Sequence, residues 1–195
     1  MQVERLAIEG PLLITPRVIG DERGHFFESW NRRRFAEVLG FDASEAPEFV
    51  QDNHSRSQRG VLRGLHYQIA PEPQAKLVRC VRGAIFDVAV DLRRESPSFG
   101  RWVAATLSED NHQQLWVPVG FAHGFLTLSE TAEVLYKTVG YWNRDCERSL
   151  RWDDPAIGIT WPATGVQPLL AEKDAAAPGL AEALARGDVF GSESS

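Results

Sequence analysis

Apolar and polar residues alternate with a period of two through much of the chain, which predicts short β-strands. The clearest stretch is 84–92. There Phe86, Val88, Val90 and Leu92 share one face, and Ile85, Asp87, Ala89 and Asp91 share the other. Successive strand side chains point to opposite faces, so the two carboxylates fall together on the less apolar side. Residues 102–107, 114–117 and 133–139 are further strand candidates, separated by turns such as Arg82-Gly83 and Ser98-Phe99-Gly100. Nearer the start, 12–19 reads as a strand interrupted at Pro16, 21–24 as a turn, and 25–30 as a short aromatic strand. A helical pattern shows at 31–39, stopped by Gly40, and at 174–186, which is rich in Ala and Leu and reads as one or two short helices. Many short strands with regular turn signals predict a mainly β fold, a sandwich or barrel with a few short helices, mostly C-terminal.

Length and composition narrow this picture. The chain has 195 residues, which suits one domain over 1–195, with 187–195 as a flexible tail. No fixed-period repeat or low-complexity block is visible. Hydrophobic residues make up 43%, enough for a packed core, and six Trp and ten Phe supply large apolar area. A net charge of −6 argues against nucleic-acid binding, which relies on basic surface, but leaves room for an anionic small molecule held by a few converging Arg and Lys. Cys80 and Cys146 lie far apart without metal-type spacing, so neither a disulfide framework nor a zinc site is expected. The absence of a signal-peptide pattern and of a long apolar run points to a cytoplasmic protein without membrane contact.

Two segments concentrate chemistry. Gln51-Asp52-Asn53-His54-Ser55-Arg56-Ser57 is dense in polar groups and leads into Gly60-Val61-Leu62-Arg63-Gly64-Leu65-His66-Tyr67-Gln68. A strand that carries Arg, His and Gln among apolar residues is unusual; its ordinary reading is a solvent-facing strand. Strict alternation puts Arg63 and His66 on opposite faces. An interior glycine often marks a bulge, and a bulge at Gly64 would bring them together. The second segment is Trp116-Val117-Pro118-Val119-Gly120-Phe121-Ala122-His123-Gly124-Phe125. Its Pro-x-Gly-x-x-His core resembles the second motif of the cupin superfamily, in which that His often binds a metal. The first cupin motif brings two His and a Glu, whereas the matching strand here has His66 and, in the second place, Gln68. A metal needs three or four suitable ligands, so no metal is expected. A charged cluster, Glu172-Lys173-Asp174, follows near the end.

Further segments extend the likeness over about 11–178. They are Asp21-Glu22-Arg23-Gly24 with Phe26-Phe27-Glu28, Lys76-Leu77-Val78-Arg79-Cys80-Val81, Phe86-Asp87-Val88-Ala89-Val90-Asp91-Leu92-Arg93 and Leu135-Tyr136-Lys137. Together with the two segments above they resemble the dTDP-4-dehydrorhamnose 3,5-epimerase family, metal-free cupins of deoxysugar biosynthesis. The resemblance implies a β-jelly-roll homodimer without a cofactor. Its substrate is a nucleotide sugar, dTDP-4-dehydro-6-deoxyglucose, inverted at carbons 3 and 5. It further implies His66 as base, Asp174 as the carboxylate paired with it, Tyr136 as the acid on the opposite face, and Lys76 near the developing enolate. Arg23, Phe26, Glu28, Gln51, Asn53, Arg63, Lys76, His123, Glu147 and Lys173 match substrate-contacting positions. Two departures, His25 for a more usual aromatic and Ala171 for a small polar residue, lie outside the acid–base set.

The residue types fit such chemistry. A ketone at carbon 4 acidifies the neighbouring carbon-bound protons, so inversion needs a base, a group to offset enolate charge and an acid, but no redox cofactor. Histidine titrates near working pH. A carboxylate on its other nitrogen fixes the tautomer; Asp87, on a neighbouring strand, is a physical rival to Asp174 for this place. A tyrosine phenol is neutral at pH 7 and can donate, and Lys76, with Arg23 and Arg63, supplies positive charge for an enolate and a diphosphate. Each has an ordinary alternative: Tyr136 as core, Lys76 as surface, Asp174 as a helix cap. Rival functions are an epimerase of one carbon only, a metal-dependent cupin enzyme, and a non-catalytic sugar-nucleotide-binding module.

Overall fold

The computed structural model describes residues 1–42 and 46–191. In chain order the strands are β1 (Gln2–Arg5), β2 (Leu12–Thr15), β3 (Ile19–Asp21), β4 (Gly24–Phe26), β5 (Gln51–Gln58), β6 (Leu62–Gln68), β7 (Ala75–Arg82), β8 (Ala84–Asp91), β9 (Trp102–Ser108), β10 (Gln114–Val117), β11 (Phe121–Thr127), β12 (Thr131–Val139) and β13 (Glu147–Ser149). Three short helices accompany them: α1 (Arg32–Leu39), α2 (Glu172–Ala175) and α3 (Leu180–Arg186). Two antiparallel sheets form, one ordered β1-β2-β10-β7-β12-β5 and the other β13-β6-β11-β8-β9, with β3–β4 as a separate hairpin. This is the jelly-roll sandwich expected of the sequence. No helix among the described residues is long and apolar enough to cross a membrane.

Alternation explains how the sheets stack. Val78 and Cys80 of β7, Ala132 and Val134 of β12 and Leu115 and Val117 of β10 point inward from one sheet. They meet Ile85 and Ala89 of β8, Val103 and Leu107 of β9, and Phe121 and Phe125 of β11 from the other. The opposite parity is buried too. Val88 and Val90 of β8, followed by Leu92, lie under Leu150, Ile157, Leu180 and Phe190 of the C-terminal segment. Leu12, Ile14, Leu77 and Trp116 lie under Phe35 of α1. That helix begins where Asn31 accepts from the Arg34 amide and ends at Gly40 in the left-handed region, φ 76°, as a side-chain cap and a glycine stop require.

Two local expectations are corrected. Residues 25–30 pair only as far as Phe26; His25 and Phe27 instead stack on each other and against His112. The tail does not begin at Gly187. The Phe190 amide donates to Leu92, its carbonyl accepts from Arg94, and its ring is buried. Residues 192–195 of that expected tail lie outside the described residues.

The alternative that the sequence leaves open at Gly64, a bulge, is the one present. In the β6–β11 pairing His66 faces His123 while Arg63 faces Phe125, so three steps along β6 match two along β11. The extra residue turns Arg63 to the same side as His66. Gly64 has φ 114°, and a Cβ there would meet the Gly124 Cα and the His123 carbonyl at 2.7 Å, so only glycine fits.

Candidate active site

The inward parity of the strands turns polar toward one end of the sandwich, and a cavity of about 590 Å³ opens there. β6 contributes Arg63 and His66, β11 contributes His123, β7 Lys76, β12 Tyr136, β13 Glu147, and α2 Lys173 and Asp174. A smaller space of about 120 Å³ shares His66, Lys76, Tyr136, Trp142 and Glu147 and adds Gln51 and Asn53. Elsewhere a cavity of about 650 Å³ is lined by Glu9, Glu95, Arg93, Arg101 and Phe190; among the described residues it carries no His, Tyr or Lys.

His66 Nε2 stands 2.6 Å from Asp174 Oδ1. An ionised carboxylate can only accept, so Nε2 carries the proton and Nδ1 keeps its lone pair. Burial holds the His66 pKa below its ordinary value; the Asp174 hydrogen bond and charge oppose this, and Lys76 adds to it. The imidazole is therefore neutral at working pH, which a base must be. Burial works against the ionised form of Asp174, but its bonds to His66 and to the Gly64 amide (3.3 Å) prevail and hold its pKa low. Asp87, the rival, is fully buried and bonds His123 Nε2 at 2.8 Å instead. Its second oxygen, Oδ2, is buried and has no hydrogen-bond partner among the described residues.

Lys76 crosses between the sheets, donating from Nζ to the His66 carbonyl at 3.2 Å. Burial pulls its pKa down to about 8, with Asp87 and Glu147 opposing. Burial also raises the Tyr136 pKa, against the pull of Arg63, so the phenol keeps its proton. Arg63 donates to Ser57 Oγ and to the Arg56 carbonyl, which steadies its guanidinium at the cavity wall. Lys173 and Glu147 form an ion pair at 3.0 Å on the rim. Among the described residues, no group of three or more His, Cys, Asp or Glu is arranged as a metal-ligand set.

The fold thus brings together His66, Tyr136, Asp174, Lys76, Gln51, Asn53, Arg63, His123, Glu147 and Lys173. It does not bring Arg23, Phe26 or Glu28 into that lining. Arg23 is paired with Asp21 on the β3–β4 hairpin, Phe26 is 71% exposed, and Glu28 bonds Asn31 and Arg34. Trp142 is a lining residue that the sequence pattern did not single out. The only available signal was an aromatic pair, Tyr141-Trp142, in an otherwise polar turn; both are exposed.

Comparison with known proteins agrees with this geometry. A family model described as dTDP-4-dehydrorhamnose 3,5-epimerase matches residues 5–182. The dTDP-4-dehydrorhamnose 3,5-epimerase of Pseudomonas aeruginosa is 56% identical over 183 residues, covering 94% of this chain and 98% of that protein. The enzyme of the same name from Salmonella typhimurium is 54% identical over 184 residues, with the same two coverages. Among solved structures, a dTDP-6-deoxy-D-glucose-3,5-epimerase from Legionella pneumophila, in complex with dTDP-4-keto-L-rhamnose, superposes with a TM-score of 0.87. It is 47% identical, with 92% of this chain and 93% of that one covered. A match over nearly the whole chain, at this identity and with this fold, shows that the chain belongs to the dTDP-4-dehydrorhamnose 3,5-epimerase family.

Proposed function

We propose that this chain is an isomerase that inverts carbons 3 and 5 of dTDP-4-dehydro-6-deoxyglucose, giving dTDP-4-dehydrorhamnose, through proton transfers by its own side chains. The observation that carries this reading is the arrangement of base and acid. The His66–Asp174 pair is built on β6 and α2, Tyr136 comes from β12 of the opposite sheet, and all three line one cavity. His66 Nδ1 takes the proton from a carbon beside the ketone, and the electron pair moves onto the carbon-4 oxygen. The Lys76 ammonium offsets that charge in a site shielded from water, where such stabilisation is strongest. Tyr136 then returns a proton to the carbon from the other face, and the configuration is inverted. The imidazolium then gives up its proton and the Tyr136 phenolate regains one by exchange with water at the cavity mouth, and repetition at the second carbon completes the reaction. Arg63 and Lys173 offer positive charge to the diphosphate, and the Trp142 indole offers a flat apolar face to a ring.

Incubation with the keto sugar in deuterated water tests the reading. Deuterium is expected at carbons 3 and 5 of the product by NMR. Incorporation at one carbon alone assigns the single-carbon activity instead, and none at either removes the proton-transfer mechanism.

The positions of Arg23, Phe26 and Glu28 support a homodimer in which the β3–β4 hairpin and the residues after it serve the partner's cavity. They match substrate-contacting positions, yet do not line their own chain's cavity, and Phe26 and Ile19 expose apolar surface on the hairpin. Mixing an Arg23→Ala/Phe26→Ala variant with a His66→Asn variant tests this. In a mixed dimer one site then holds an intact His66 and an intact partner hairpin, so activity reappears on mixing. No recovery from subunits shown to exchange places the hairpin's role within its own chain or nowhere.

A further inference from the structure

The turn that carries Trp142 is fastened by a side chain that the acid–base chemistry does not use. Gln68 lies at the end of β6, two residues beyond His66, and is 2% exposed. Its amide nitrogen donates to the carbonyls of Glu72 at 2.6 Å and Tyr141 at 3.1 Å. Its amide oxygen accepts from the Asn143 backbone N–H at 2.8 Å. One buried carboxamide therefore joins the 69–74 connection to the 140–146 turn. Two N–H donors and one acceptor are what these three backbone groups require. Among side chains of this length only glutamine supplies both kinds, since glutamate only accepts and leucine offers neither.

What the clamp holds is the mouth of the site. Trp142, between the two anchored residues Tyr141 and Asn143, lines both parts of the cavity, and its amide donates to Gln51 Oε1 at 3.1 Å. The turn then enters β13, where Glu147 lies directly opposite Gln68 in the sheet register. In the metal-binding cupin pattern this strand position holds a second histidine. Here both amide hydrogens are committed to backbone carbonyls.

We propose that Gln68 is a positioning residue for nucleotide-sugar binding, which fixes Trp142 at the cavity by bridging two connections and sets substrate affinity without moving a proton. The inference rests on the function proposed above, and its test separates the two. In the substrate-free protein, the Asn143 amide is expected to be protected from hydrogen exchange, and to lose that protection in Gln68→Leu and in Gln68→Glu. With the keto sugar, both variants should raise KM about tenfold and change kcat by less than about threefold, with the acid limb of the pH profile unmoved. Adding Trp142→Ala to either variant should cost no more than Trp142→Ala alone, because the clamp acts through the tryptophan. Gln68→Glu keeps the length but sets a carboxylate against the Glu72 and Tyr141 carbonyls, which forces the turn away, so it carries the test should Gln68→Leu fail to fold. Rapid exchange of Asn143 in the wild type overturns the clamp whatever the activity. Loss of protection with KM unchanged, or losses that multiply in the double variant, overturns its role in binding. A wild type that does not turn over the keto sugar sinks the functional reading, while the exchange data still decide the clamp.

Discussion

Replacing His66 with Asn is expected to lower kcat about a thousandfold or more while KM changes little, since a positioned general base is worth roughly 10²–10⁴ in rate. Asparagine is close to imidazole in size but has no basic nitrogen, so the cavity keeps its shape and loses its base. Asp174→Asn acts differently: the imidazole stays in place, but without its orienting carboxylate the tautomer is no longer fixed, which costs up to about 10⁴ in rate. The two variants differ in a second respect. Asp174 raises the His66 pKa through its hydrogen bond and charge, against burial. Removing it lets that pKa fall further, so the acid limb of kcat/KM in Asp174→Asn moves to lower pH. Asp174 also accepts from the Gly64 amide inside the bulge. Leaving that buried N–H poorly paired costs about 1–3 kcal/mol, read as a lower Tm. Turnover of the His66→Asn variant within tenfold of the wild type sinks the assignment of the base.

How far the sequence shows this site depends on how local each signal is. The alternation over 84–92 places Asp87 on the same face as Ile85 and Ala89, and that face is the interior of the sandwich. What alternation cannot say is that the opposite face is buried as well, because its cover of Leu180 and Phe190 comes from about a hundred residues away. The glycine inside β6 shows as a break in the pattern, and the break is the bulge that puts Arg63 beside His66. Pairing is harder. Asp87 and Asp174 are both chemically suitable partners for His66, and only the path of the C-terminal segment decides between them. Leu169 exchanges backbone hydrogen bonds with Leu62 and Gly60, and so delivers α2 to His66 across 108 positions of sequence. Asp87 is left to His123 on the adjacent strand, within the same sheet.

Other residues are illegible for different physical reasons. Trp142 sits in a turn, where no period applies and an aromatic reads equally as surface. Gln68 reads as a missing ligand, since its three partners are backbone atoms, which leave no mark in composition. Phe190 looks like part of a polar end, yet its ring fills the second core and its amide completes a bridge to the strand-edge residues after β8. Arg23, Phe26 and Glu28 are the opposite case: their motif is plain in the sequence, but one chain does not carry them into the cavity it forms.

Lys76 should govern the alkaline side of the pH profile, and its removal is the second large effect. The wild-type kcat/KM is expected to be bell-shaped. On the acid side, the proposed mechanism requires neutral His66, whose pKa lies below its ordinary value of about 6.5, so activity should be full above that value and fall as pH drops through the lowered pKa. On the alkaline side, the proposed mechanism requires the Lys76 ammonium. With its pKa brought down to about 8, the cation is lost as pH rises through that value. Tyr136 does not compete for this limb, because burial moves its pKa above the ordinary phenol value of 10.0 and the proton it must donate stays on. Lys76→Met keeps an unbranched chain in the core and removes the charge. Its kcat is expected to fall about a hundredfold or more, the scale on which a single preorganised stabiliser of an oxyanion acts. What activity remains should lose the limb near pH 8 and run flat until Tyr136 ionises. Tyr136→Phe makes the complementary prediction: deuterium still washes into the substrate from the His66 face while inversion stops, and the limb near pH 8 persists. Persistence of that limb in Lys76→Met assigns it to another group, and lysine is then only a strut between the sheets. A limb that vanishes together with most of kcat ties the charge on Lys76 to the enolate, since the bond from Nζ to the His66 carbonyl could be lost without changing how the rate depends on pH.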